Sequence, residues 1–220
     1  MKKTALIIGA TGLVGEQCLC LLLSSGYYGK VIALTRKKLS ITHAVLENPV
    51  VNFDQPDTYA HLVKADDIYC AIGTTIGKAG SQQAFKKVDF YLPLQVAQAA
   101  KANGAQTFVL VSSLGADASS GVFYSRIKGE LEQALAQLHF QSLLIFRPSI
   151  LLGDRKEKRT GEELGRWVAE KMPFLFAGPL KKYRGTPADW LARVMLQTAQ
   201  QKNSGVRIIE NEEIFILGEK

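Results

Sequence analysis

The chain has little of what would set it apart from ordinary globular proteins. Among its 220 residues are only three cysteines, Cys18, Cys20 and Cys70. An odd number in apolar surroundings excludes a disulfide framework and predicts buried, reduced thiols rather than a metal site or redox pair, in a cytoplasmic protein. The three histidines, His43, His61 and His139, have no ligand spacing and carry no catalytic or metal reading. No apolar run reaches the roughly 18 residues of a membrane span. Repeats and low-complexity segments are absent. Met1-Lys2-Lys3-Thr4 imitates the start of a secretory signal, but glycines interrupt the apolar stretch behind it, and that stretch reads as a first strand. A basic arm and a stacking-aromatic motif are also missing, so the net charge of +7 points to an anionic small molecule rather than nucleic acid. One absence is local: no acidic residue occurs between Glu16 and Glu47.

What is present starts directly behind the apolar run Ala5-Leu6-Ile7-Ile8, with Gly9-Ala10-Thr11-Gly12-Leu13-Val14-Gly15. The stretch after it is rich in Leu and Cys and reads as a helix. Strand, glycine turn and helix in that order make a pyrophosphate site. Gly9 permits the turn, Gly12 admits the phosphates close to the backbone, and Gly15 lets helix pack on strand. The helix N-terminus adds unpaired N–H groups and the positive end of a dipole, so Thr11, Leu13 and Val14 join the glycines as cofactor-binding candidates. The spacing is G-x-x-G-x-x-G, not the usual G-x-G-x-x-G.

Apolar runs at residues 4–8, 31–35, 50–53, 68–72, 107–112 and 143–147, with a last one near 206–210, are mostly continuous and β-branched. They predict strands buried on both faces. Residues 83–103, 128–138 and 189–201 read as helices between them, the first stopped by Gly104. Repeated β-α units predict an α/β fold: a Rossmann-like doubly wound parallel sheet with helices on both faces, one domain over residues 1–220. Ligands bind such sheets beyond the carboxyl ends of the strands. Residues 153–187 break the rhythm with the run Asp154-Arg155-Lys156-Glu157-Lys158-Arg159 and then Pro173, Gly178, Pro179 and Gly185. Inserted after strand six, they are expected to form a small substrate-side lobe.

Strand two ends Thr35-Arg36-Lys37-Lys38, where an NAD-selective site places a carboxylate for the ribose 2′-hydroxyl. A 2′-phosphate needs the opposite charge, which makes Arg36 its expected partner, assisted by Lys37 or Lys38, and the expected cofactor NADP(H). Asp54, after strand three, is a candidate acceptor for the adenine amino group. Gly73-Thr74-Thr75 closes strand four where the cofactor backbone should pass. Tyr124 and Lys128 stand four apart, on one face if helical. Strand five ends Ser112-Ser113. A serine hydroxyl that orients a carbonyl oxygen, a tyrosine that exchanges a proton with it and a lysine whose ammonium favours the phenolate are the parts needed for hydride transfer. Pro148 and Ile150, at the end of strand six, are candidates for binding the nicotinamide carboxamide.

These stretches resemble the extended and atypical short-chain dehydrogenase/reductases. More narrowly, residues 73–80, 112–117 and 146–155 and the Glu210-Asn211 ending resemble the HIV Tat-interacting-protein branch of that superfamily. The resemblance implies NADPH on a Rossmann domain, a small substrate lobe and a regulatory side to the animal members. It favours Ser113 over Ser112 as the catalytic serine, with Tyr124 and Lys128. Three functions remain open: an NADP(H)-dependent oxidoreductase on a small carbonyl or alcohol, a non-catalytic NADPH sensor acting through a protein partner, and a nucleotide-sugar epimerase, for which the lobe is short. A monomer or a homodimer is expected, the sequence giving only a prior for the dimer.

Overall fold

The computed structural model describes residues 2–153 and 183–219. Its elements begin with β1 (Lys3–Ile8), α1 (Leu13–Ser24), β2 (Tyr28–Leu34), β3 (Leu46–Glu47) and β4 (Asp67–Cys70). Then come α2 (Ile76–Ala79), α3 (Gln82–Lys86), α4 (Leu92–Ala102), β5 (Thr107–Val111), α5 (Phe123–Ala136) and β6 (Ser142–Arg147). The rest comprises β7 (Leu151–Leu152), β8 (Thr186–Pro187), α6 (Ala188–Gln200), β9 (Gly205–Glu210) and α7 (Asn211–Gly218).

Seven of these strands form one sheet in the order β3-β2-β1-β4-β5-β6-β9, every pairing parallel. Successive side chains of β1 enter opposite cores: Ala5 and Ile7 pack with α1 and α6, Leu6 and Ile8 with α4 and α5. With both faces covered, Ala5 to Ile8 are fully buried, which is why the run is continuously apolar. The strand order reverses between β1 and β4. A crevice therefore opens there, at the carboxyl ends of the strands, and this is where doubly wound sheets hold ligands.

The expected strand at residues 50–53 is corrected. The third strand is Leu46–Glu47, and beyond it Val50 makes only an isolated bridge to Thr35. Pro49 has no N–H to give a ladder, so regular pairing stops before it. The helix expected over 83–103 is three pieces: α3, a π-helical turn at Lys87–Tyr91, and α4. Pro93 accounts for the break. It cannot donate to the Asp89 carbonyl four residues back, and its ring crowds that carbonyl. The Leu92 N–H bonds instead to the Lys87 carbonyl, five residues back. The helix expected from 128 begins at Phe123, and α7 was not foreseen.

Cys18 and Cys70 are fully buried, and burial pushes their thiols up to about 12 and about 11. Cys20, expected to be buried with them, is exposed. The expected lobe falls largely at residues 154–182, charged run included, which lie outside the described residues. At its two ends β7 and β8 form a short parallel ladder.

Candidate functional site

Three glycines shape the crevice floor, each for a different reason. Gly9 turns the chain with φ +83°, and a Cβ there would lie 2.6 Å from the Ala71 carbonyl just beyond β4. Gly15 lies in the first turn of α1, where a Cβ would come within 2.0 Å of the Gly9 oxygen. Helix and turn therefore touch backbone to backbone. Gly12 has ordinary extended dihedrals, φ −82° and ψ 169°, and its nearest neighbour for a Cβ is the Gly9 oxygen at 3.3 Å. It is the N-cap of α1 and supplies no side-chain cap. The first N–H groups of the helix, at Leu13, Val14 and Gly15, thus have no intrahelical acceptor. Thr11 and Gly12 are exposed beside them. An uncapped helix start next to bare backbone fits a pyrophosphate.

Beyond β2, Arg36, Lys37 and Lys38 are all exposed, on a loop whose first residue, Thr35, is buried. The side chain of Asn48 binds that loop at Thr35 and Leu39 and the end of β2 at Ala33. Asp54 does not follow a third strand directly; it sits in the turn beyond Phe53, and its exposed carboxylate pairs with Lys87 at 2.9 Å.

The end of β4 is where α5 and the π-helical turn converge. Lys128 Nζ lies 2.6 Å from an Asp89 carboxylate oxygen, with both side chains almost wholly buried. The other Asp89 oxygen accepts the Thr74 N–H at 2.9 Å, and a Cβ on Gly73 would be 3.9 Å from Lys128 Nζ. Burial alone would lower the Lys128 pKa, but the Asp89 carboxylate, Tyr124 and the hydrogen bond to Asp89 leave it raised. Lys128 is therefore a retained cation inside the protein. Its Nζ is 6.0 Å from the Tyr124 ring centroid, and that half-buried ring leans on Phe85 at 5.6 Å. One residue on, Gly129 lets α5 pack against the loop after β5: a Cβ there would be 2.2 Å from the Ala118 nitrogen. Thr75 caps α2, accepting the Lys78 N–H.

The two serines after β5 are in different situations. Ser112 is buried and donates to Glu132 at 2.5 Å. Glu132 is in turn gripped by Arg147, which also binds Glu210, and these hydrogen bonds hold the guanidinium pKa up. Ser113 is half-buried, with one long contact to the Leu114 carbonyl at 3.4 Å. After β6, the Pro148 carbonyl accepts from Leu114 N–H and the Ile150 carbonyl from Thr186 N–H, both at 2.8 Å. Asn211 secures this stretch from α7, accepting from the Ser149 N–H and the Thr186 hydroxyl. No group of three or more potential metal ligands occurs among the described residues.

A parallel sheet with its crevice at the β1/β4 reversal and a glycine turn that opens a helix define a dinucleotide-binding domain. The chain belongs to the NAD(P)H-binding family, whose pattern matches residues 9–151. Protein HTATIP2 of Rattus norvegicus is 36% identical over 99% of this chain and 90% of its own length. Fungal relatives include Protein FMP52-1, mitochondrial, of Scheffersomyces stipitis, 38% identical over 86% of this chain and 80% of its own. Protein FMP52, mitochondrial, of Eremothecium gossypii is 34% identical over 97% and 96%. Among solved structures, MoeE5 in complex with UDP-glucose and NAD superposes with a TM-score of 0.72, covering 98% of this chain and 81% of that one, at 14% identity. At that identity the likeness speaks for the fold alone. The resemblance to the HIV Tat-interacting-protein branch is thereby borne out, as is the Rossmann-like fold.

The cytoplasmic location expected from the sequence is overturned by the fungal relatives, which are named mitochondrial. Reduced thiols argue only against an oxidising compartment, so they cannot separate cytosol from mitochondrion. Among the described residues no helix is long and apolar enough to cross a membrane.

Sequence reasoning missed Asp89, Glu132 and Asn48. Asp89 lay inside a stretch taken as one regular helix; Pro93 four residues on was the signal that the helix would deform there. Glu132 and Asn48 bond to groups distant in sequence, and no local spacing announces such contacts.

Proposed function

We propose that the protein is an NADP(H)-dependent oxidoreductase of the short-chain dehydrogenase type, acting on a small carbonyl or alcohol. The observation that carries this reading is the buried Lys128–Asp89 pair beside Tyr124, reached from α5 yet seated at the end of β4. Burying a lysine and a carboxylate is expensive, and a pair kept in a ligand crevice points to chemistry there. When bound, NADP(H) would supply or accept the hydride. The glycine turn and the α1 N-terminus would hold its pyrophosphate, Arg36 and Lys37 its 2′-phosphate, and residues 73–75 its backbone. Ser113 would orient the substrate oxygen, since the Ser112 hydroxyl is committed to Glu132. Tyr124 would exchange the proton with that oxygen, and Lys128 would support the phenolate and hold the nicotinamide ribose.

The test is cofactor-saturated turnover across a panel of aldehydes, ketones and quinones, with Tyr124→Phe beside the wild type. NADPH consumption by the wild type and a loss of at least about a hundredfold in the variant, with cofactor affinity kept, is the expected result. Binding without turnover on any of the panel would favour the sensor reading.

A further inference from the structure

We infer that Asn48 is the positioning residue that sets the preference for NADPH over NADH, by holding the basic loop after β2 in its binding shape. The inference rests on the reading that Arg36 and its neighbours take the 2′-phosphate. Asn48 is half-buried, just past β3 and ahead of Pro49, and the polar atoms of its side chain bond to the end of β2 and to this loop. Its Oδ1 accepts the Leu39 N–H at 2.8 Å, while its Nδ2 donates to the Ala33 carbonyl at 2.7 Å and to the Thr35 hydroxyl at 2.8 Å. Both amide hydrogens and one Oδ1 lone pair are engaged, three of the four bonds the amide can make, and these partners fix its orientation.

The clamp continues through Thr35. Its buried hydroxyl takes the Asn48 hydrogen and donates its own to the Lys37 carbonyl at 2.7 Å. The Asn48 carbonyl in turn accepts the Lys38 ammonium at 3.1 Å. Residues 33 to 39 are therefore tied at both ends and in the middle, while Arg36 and Lys37, between the ties, stay exposed. Such an arrangement keeps two cationic side chains on a fixed backbone, ready for one anionic group. Ordering at the moment of binding weakens affinity, and a loop ordered beforehand avoids that loss. NADH has no phosphate at this position and draws nothing from the loop's shape.

Two independent edits test this: Asn48→Ala removes the amide, and Thr35→Val removes the hydroxyl while keeping the volume. Each is compared with Arg36→Ala and with the double variant Asn48→Ala/Arg36→Ala, by titrating NADPH and NADH into each protein. The expected result is a loss of about three- to tenfold in NADPH affinity for Asn48→Ala and Thr35→Val, with NADH within about twofold of the wild type. Within the Arg36→Ala background, Asn48→Ala should cost less NADPH selectivity than it does in the wild type, since only Lys37 is left for the clamp to hold. Equal losses for the two cofactors, or fully additive losses in the double variant, would reduce Asn48 to a structural residue and overturn the inference. If Arg36→Ala itself leaves the NADPH-to-NADH ratio unchanged, the phosphate reading falls, and this inference with it. If Arg36→Ala collapses the ratio while Asn48→Ala and Thr35→Val do not, only the inference falls.

Discussion

Gly12 and Gly15 both look like members of one glycine motif, yet they should fail in opposite ways. Gly12 has dihedrals open to any residue, and its Cβ would need to gain only a few tenths of an ångström from the Gly9 oxygen. A valine there is a poor N-cap, with a stability cost of about 1 kcal/mol, or roughly 2–4 °C in Tm for a chain of this size. Its branches would occupy the space the pyrophosphate needs. Losing one charge-assisted contact of about 1.5–3 kcal/mol weakens binding by roughly ten- to a hundredfold, and losing several abolishes it. Gly15→Ala meets the Gly9 oxygen at 2.0 Å, so helix and turn must separate. Overpacking of that kind costs about 1–3 kcal/mol, which adds a Tm drop of roughly 2–12 °C to any loss of affinity. Fluorescence titration with NADPH and thermal melts of the free proteins separate the cases. Unchanged affinity in a folded Gly12→Val protein would refute the phosphate role, and an unshifted Tm in Gly15→Ala would refute the packing argument.

Asp89→Ala should leave the Lys128 ammonium buried without its carboxylate, a loss of about 3–5 kcal/mol and roughly 6–20 °C in Tm; a melt within 2–3 °C of the wild type, to within about the error of the method, would contradict that. Stability should decline at alkaline pH: the Cys18 thiol stays protonated to about 12 in the fold but ionises near 9.0 once unfolded. By denaturant titration that thiol alone should cost up to about 1.4 kcal/mol per pH unit from 9.0 to about 12, and Cys70 adds to the loss up to about 11. Lys128 acts in the same direction, since its raised pKa stabilises the fold below 10.5 and that contribution disappears as pH rises through the folded value. In native protein a maleimide should modify the exposed Cys20 quickly and reach Cys18 and Cys70 only after denaturation; rapid modification of all three would show that the burial is wrong.

Much of the fold could be read from the sequence because a two-faced parallel sheet forces its strands to be continuously apolar. That signal located β1, β2, β4, β5 and β6 to within a few residues. It failed at β3, an edge strand of two residues that needs no such run. β9 lies where its run was expected, but as a sheet edge with Val206 and Ile208 exposed it is not buried on both faces as expected. The glycine turn was readable because its backbone demands are local. The Asp89–Lys128 pair was only half readable: Lys128 has a neighbour at fixed helical spacing, whereas Asp89 reaches it through a π-helical turn that Pro93 imposes. The Ser112–Glu132–Arg147–Glu210 chain joins the residue after β5 to α5, β6 and β9, so it can be read only once the sheet order is known.

The most direct measurement of the proposed activity is label transfer from NADPH deuterated at its transferable position, with the product of a reducible carbonyl examined by mass spectrometry. The expected result is deuterium in the alcohol product with the wild-type protein and at least about a hundredfold slower labelling with Tyr124→Phe. Absence of label in every product, from protein saturated with NADPH, would contradict it.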